Sequence, residues 1–293
     1  MIFRGFSQRV TIVVAALMLL TWPAFAVADS DPIVFQAAGP TRDSILSNVD
    51  AFRNQLGTLN PNVPGSFPGG RREINWDGVP DIFAAPNELP FNFFNVNSPR
   101  GAVFFTPGSG FQVSANAINP TGTPVEFGNL NPTYPDIFST FSPQRLFTAL
   151  DSTVTFVLFF EPGSLTPATV SGFGAVFTDV DFPNSRRRCS RPASTKIDYF
   201  GIDGSLLHSI DSSQMQRMDD ARLNHISVFR FSNSVASSPG NGSLSFLGVF
   251  FPDERVALVR ITSGNTPLGP NETRCTDIVA MDDFIYGEPQ PIF

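Results

Sequence analysis

The residues best placed to do chemistry are acids. Asp179 and Asp181 stand two apart at the end of a Val-, Phe- and Gly-rich run. On a strand that spacing projects both carboxylates from one face, about 7 Å apart. Two hard oxygen donors so placed suit Ca²⁺, which takes oxygen ligands at about 2.3–2.6 Å, better than a transition metal. Asp282 and Asp283 are adjacent, so a regular strand points them to opposite faces. Asp283 then shares its face with Val279, Met281 and Ile285 and becomes a buried acid that needs a partner. At most one of this pair joins Asp179 and Asp181 around a shared ion. The competing reading makes all four strand-end acids, solvated or bonded to backbone amides.

A second cluster reads Asn75-Trp76-Asp77-Gly78-Val79-Pro80-Asp81. Oxygen donors at 75, 77 and 81 are spaced like part of a calcium loop, but the bidentate Glu that completes an EF-hand is missing from its place. An exposed Trp76 beside Asn75 and Asp77 would stack a sugar ring. Otherwise Trp76 plugs the core or a loop, and Asp77-Gly78 makes an ordinary turn. Arg186, Arg187, Arg188 and Arg191 flank Cys189, and Arg71-Arg72 precede Glu73. An anion site or a protease-sensitive loop competes there with solvated charge, and solvated charge is the expectation for both clusters.

Enzyme motifs are scarce. The chain has no Gly-x-Ser-x-Gly, no His-Glu-x-x-His and no Gly-rich phosphate loop. His208 lies mid-strand and His225 precedes an apolar run; neither has a nucleophile beside it, so both read as structural. A glycosidase needs only two carboxylates. Glu73, Glu126 and Glu161 are the candidates, none at a signature spacing. Asn241 and Asn271 open Asn-x-Ser/Thr sites that matter only in a glycosylating host.

The elements that must hold these residues are mostly strands. Ile45, Leu46, Val49, Phe52 and Leu56 fall at helical spacing, Thr41 or Asp43 can cap the start and Gly57 the end, so residues 41–56 form a helix. Its polar face carries both signs of charge, which favours docking on its own protein over a membrane. Residues 57–100 are rich in Pro, Gly and Asn, an irregular connection with one short strand around Glu73–Trp76; connections this long are often functional. From residue 101 the pattern turns to short runs of Val, Ile, Phe and Thr bounded by turn residues. These runs are Ala102–Thr106, Phe111–Ala115, Thr153–Phe160, Val170–Val180, Lys196–Phe200, Ser205–Ile210, Ile226–Phe231, Leu244–Phe251, Val256–Thr262 and Ile278–Tyr286. Asp203-Gly204 marks a hairpin between two of them. So many strands without intervening helices predict an all-β, two-sheet, jelly-roll-like sandwich over residues 101–293, with the helix and long loops in 29–100. Phe outnumbers Tyr and Trp, 31 against 3 and 2, which points to packing between sheets more than to ligand stacking.

Composition sets the bounds. Of 293 residues 42% are hydrophobic and 15% charged, with 23 Gly and 26 Pro; a packed core is feasible and a disordered or collagen-like chain is not indicated. The net charge is −7, and −9 once Arg4 and Arg9 are removed with the leader. An acidic body argues against phosphate-driven nucleic-acid binding. The leader is residues 1–28: Arg4 and Arg9, an apolar run from Val10 to Leu20, then Ala24-Phe25-Ala26-Val27-Ala28. This is the order of a secretory signal, with cleavage expected after Ala28 and Ala26 as the alternative. The apolar run is short for a membrane span, no later stretch resembles one, and no span is expected after cleavage. Export makes Cys189 and Cys275 an expected disulfide. Closing a loop of about 85 residues would stabilise the fold by roughly 4–5 kcal/mol in the chain-entropy model.

The C-terminal half also carries a resemblance. Val170-Ser171-Gly172-Phe173-Gly174-Ala175-Val176-Phe177-Thr178-Asp179 is followed by Phe200-Gly201-Ile202-Asp203-Gly204-Ser205, Phe246-Leu247-Gly248-Val249-Phe250-Phe251, Val259-Arg260-Ile261-Thr262-Ser263-Gly264 and Met281-Asp282-Asp283-Phe284-Ile285-Tyr286-Gly287. Over residues 150–288 this order resembles the exported bacterial β-sandwich proteins of the PEP-CTERM-sorted type. The resemblance implies a sandwich fold and an extracellular or periplasmic location, and no particular chemistry. The sorting tail of that group is absent, which favours free secretion. The function expected from sequence is a secreted, non-enzymatic β-sandwich that binds carbohydrate or an envelope polymer, with Ca²⁺ as a structural ion. A polysaccharide hydrolase with paired carboxylates, acting between the 57–100 loop and the sandwich, and a purely structural extracellular protein are the alternatives.

Overall fold

The computed structural model describes residues 30–180, 195–212, 241–269 and 276–292. Asp181, the arginines at 186–191, Cys189, Cys275, His225, Asn271 and the strand expected at Ile226–Phe231 lie outside these residues. Among the described residues the chain runs β1 (Ile33–Gly39), α1 (Arg42–Leu56), β2 (Arg71–Ile74), α2 (Phe93–Val96), β3 (Ala102–Phe105), β4 (Gly110–Val113), β5 (Phe147–Leu150) and β6 (Val154–Phe159). It continues with β7 (Ala168–Thr169), β8 (Gly172–Thr178), β9 (Lys196–Phe200), β10 (Leu206–Asp211), β11 (Leu244–Phe250), β12 (Leu258–Thr262), β13 (Ala280–Gly287) and β14 (Gln290–Pro291).

These strands make an all-β sandwich of antiparallel sheets. One sheet has the order β1-β11-β8-β13-β5-β4, with β2 added to β13; the other has the order β10-β9-β12-β6-β3; β14 and β7 pair separately. Strand alternation sorts the side chains as the period of two requires. In β8, Phe173, Ala175 and Phe177 face the core between the sheets, while Val176 faces α1. The second sheet contributes Ile197, Tyr199, Val259 and Ile261 to that core, and Tyr199 Oη donates across it to the Phe173 carbonyl at 2.9 Å.

The helix expected at 41–56 forms over Arg42–Leu56 and ends at Gly57, whose φ of 99° returns its amide to the Arg53 carbonyl. Ile45, Val49, Phe52 and Leu56 are buried on its inner face. They cover the outer face of the larger sheet, against Val176, Phe246 and Ile285. Gly174 makes that approach possible, since a Cβ there would sit 2.9 Å from both the Phe52 and Phe246 rings.

Two departures from the sequence reading bear on the site. Residues 33–39, grouped with the loop region by sequence, are an edge strand that pairs along β11 from Ile33↔Phe250 to Gly39↔Leu244, so the sandwich begins well before residue 101. Asp282 and Asp283 do not sit on a regular strand. Met281 pairs with Phe177, but Phe284 pairs with Ala175, so three steps along β13 oppose two along β8. The extra residue is a β-bulge.

Candidate functional site

The site grows from that bulge. Asp282 and Asp283 are both buried, and the bulge brings their carboxylates to one hydroxyl instead of splitting them across the sheet. Ser142 Oγ lies 3.1 Å from Asp282 Oδ1 and 2.6 Å from Asp283 Oδ1. Asp282 Oδ2 also accepts the Phe141 and Ser142 amides at 2.6 and 3.2 Å. Burial, reinforced by the Asp283 charge, pushes Asp282 well above the usual carboxylate range. Burial raises Asp283 as well, against the pull of Ser142 and Arg53. Burial thus disfavours charge on both acids, more strongly on Asp282, while Asp283 is the partner facing a cation.

That cation is Arg53, on the last turn of α1. Its Nε and Nη2 grip Glu73 in a fork at 3.0 and 2.9 Å, Nη2 also reaches Asp283 Oδ2 at 3.2 Å, and Nη1 meets Asp50 at 3.2 Å. Burial works against the Arg53 charge, but Glu73 and Asp283 outweigh it and its pKa rises. Arg71 Nε adds a second donor to Glu73 at 2.6 Å and its Nη1 bonds the Gly57 carbonyl. Every acid in this network thus has its own donors.

Beside the network opens a groove of about 300 Å³, at the small end of ligand-pocket volumes. Arg53, Glu73, Ser142 and Asp283 line its base, and Arg42, Asn60, Asn62, Asn75 and Arg100 surround them. The 57–70 connection that forms one wall is pinned from behind. Arg72 and Glu288, both buried, form a bidentate pair at 2.6 and 2.7 Å. Arg72 also donates to the carbonyls of Pro61, Gly65 and Pro99, while Glu288 accepts Asn60 Nδ2 at 2.8 Å and the Phe67 amide at 3.2 Å. The solvated charge expected at Arg71-Arg72 is therefore replaced by structural pairing. The reason is that the loop's inward carbonyls need a buried donor fork.

Arg100 differs from its neighbours. Its Nε is fixed on the Glu73 carbonyl at 2.9 Å, its Nη1 on Ser98 Oγ, and its guanidinium lies 5.2 Å from the Phe94 ring centre. Among the described residues no acid pairs with it. Burial depresses its pKa, and the nearby Arg72 charge adds to this.

The residues singled out by sequence scatter across this picture. Trp76 is not an exposed platform: it is 1% exposed, stacked on Phe147 at 4.1 Å with planes 2° apart, and its Nε1 donates to the Asp282 carbonyl at 2.9 Å. A large ring flanked by Phe94, Phe104 and Phe284 gains more from the core than from water. Asp77 is used locally, with its Oδ1 accepting the amides of Gln144 and Arg145 at 2.5 and 3.1 Å. Burial still outweighs those bonds and raises its pKa. Asn75 is exposed and lines the groove. The oxygens of Asp282 and Asp283, expected as Ca²⁺ ligands, face N–H, O–H and guanidinium donors in this arrangement. Asp179 follows β8 at a φ of 63° and is buried, and Asp181 is outside the described residues. Among the described residues no three Asp, Glu, His or Cys side chains gather as a cation site.

Sequence reasoning missed Arg53, Ser142 and Arg100, since no spacing marks them. Their roles come from a bulge and a loop crossing, both long-range events. No protein-family model, no curated protein and no solved structure matches the chain.

Proposed function

We propose that this is an exported, non-catalytic glycan-binding protein, and that the groove beside the Arg53–Glu73–Asp283 network is its binding site. The observation that carries this is the contrast inside the groove. Glu73 and Asp283, the carboxylates a glycosidase would use, are both held by Arg53. The side-chain amides of Asn62 and Asn75 have no partner in the protein among the described residues and border the groove. Such amides match the vicinal hydroxyls of a sugar ring, each offering donors and an acceptor. A hydrolase needs an acid free to protonate the leaving oxygen and a second free to attack or activate water; Arg53 occupies the position between them. The secretory leader expected at residues 1–28 supports this reading, since it would carry such a protein to where polysaccharide is found.

A glycan array on the mature chain tests this, with reducing-end release measured on every glycan bound. The reading expects retention of a polyhydroxylated oligosaccharide with no reducing ends released, and loss of retention in an Asn62→Ala, Asn75→Ala double variant with an unchanged melting temperature. Release of reducing ends by the wild type, abolished in Glu73→Gln, would replace it with the hydrolase.

A further inference from the structure

We infer that the groove selects an acidic glycan, one whose sugar units carry a carboxylate, with Arg100 and Arg42 as the groups that receive the charge. This inference rests on the groove being a glycan site and goes on to name the ligand class. Arg53 is paired with Glu73, Asp283 and Asp50; Arg71 with Glu73; Arg72 with Glu288. Arg100 has no acid partner among the described residues, and Arg42 meets only Asp43 at 3.9 Å, a long contact between exposed side chains. Both of these guanidinium groups line the same groove.

Both also lie over aromatic rings. The Arg100 guanidinium lies 5.2 Å from the Phe94 ring centre and is anchored through Nε and Nη1, while that of Arg42 lies 5.1 Å from the Phe141 ring centre. A half-buried guanidinium without a counter-charge is costly to the protein alone, and a planar fork kept rigid over an aromatic face loses little entropy when it binds a carboxylate bidentately. Glu73 and Asp283 are each bonded to Arg53, and Glu73 also to Arg71, so neither acid is paired with Arg100 or Arg42. The groove therefore offers one anchored positive receptor, Arg100, and a second, exposed one, Arg42, with the amides of Asn62 and Asn75 beside them for hydroxyls. A hexuronate unit has both features.

The test uses the mature full chain in isothermal titration against trisaccharides of galacturonate, glucuronate and mannuronate, each also as its methyl ester. The ester keeps every hydroxyl and removes the charge. At least one acid is expected to bind roughly tenfold or more tightly than its ester, with the difference shrinking as salt rises. Arg100→Gln should erase the preference for the acid; Arg42→Gln, at an exposed position, should reduce it with no change in melting temperature. Equal affinity for acid and ester overturns the charge assignment and leaves the glycan reading standing. Binding of none of the six overturns the inference; retention of a neutral glycan on the array would then show that the groove reading survives without it.

Discussion

Arg53 Nη2 lies 3.2 Å from Asp283 Oδ2, and this one contact ties helix α1 to the bulge of β13 across 230 residues of sequence. The same nitrogen reaches Glu73 on β2 at 2.9 Å, so helix, added strand and bulged strand meet at one side chain. That junction is the base of the groove, and its integrity is separable from ligand contact.

Arg53→Met leaves Glu73 and Asp283 facing each other with less compensation in a partly buried setting. A loss of about 2–4 kcal/mol is expected by urea denaturation, somewhat below that of a fully buried pair because Arg53 keeps some exposure. Adding Asp283→Asn to Arg53→Met should cost less than the two single changes combined, since the neutral amide no longer needs the cation.

Trp76 is the single tryptophan after residue 28, so emission reports on it alone. A buried indole stacked on Phe147 predicts a blue emission maximum, resistant to acrylamide, that does not move when glycan binds. Trp76→Ala should cost about 3–5 kcal/mol through the cavity it leaves. A solvent-exposed emission spectrum would contradict the core placement.

Glu126 supplies one pH dependence. Burial pushes its carboxyl up to about 7. The folded state therefore holds the proton more tightly than the unfolded chain, so the stability linked to Glu126 is present at low pH and declines as pH rises from about 4.5 towards 7. Glu126→Gln should raise stability at pH 8 by about 1 kcal/mol, discounted for partial exposure, and change little at pH 4. Equal effects at both pH values would show that the charge is not the cause.

Gly174 is the contact point for the helix. Gly174→Val places methyl groups where the Phe52 and Phe246 rings lie and should destabilise by about 2–3 kcal/mol or displace α1 outright. Loss of far-UV helical signal or a lowered denaturation midpoint checks it.

Much of the frame was legible in the chain because its causes are local. The apolar spacing of Ile45, Val49, Phe52 and Leu56, with Gly57 behind them, is enough to mark α1. Short runs of Val, Ile, Phe and Thr bounded by turn residues mark most strands from 101 onward, Lys196–Phe200 among them to the residue. What escaped depends on distant partners. β1 reads Ile33-Val34-Phe35-Gln36-Ala37-Ala38-Gly39, without clean alternation, because one end is an exposed edge and the other lies under the helix. The bulge at Asp282-Asp283 is invisible locally, since it is defined by register against β8. The candidate site was legible only at its margin: Asn75 lines the groove, Trp76 supports it from the core, and Arg53, Ser142 and Arg100 carry no pattern that local reasoning could read.

The most direct measurement of the central claim is NMR titration of the mature protein with an acidic oligosaccharide, following the side-chain resonances of Asn62, Asn75 and Arg100. The account predicts saturable shifts at these three, with little change at Phe91 and Phe105, which are exposed in a separate groove at the β3 edge. Shifts confined to Phe91 and Phe105, with Asn62, Asn75 and Arg100 unmoved, would contradict it.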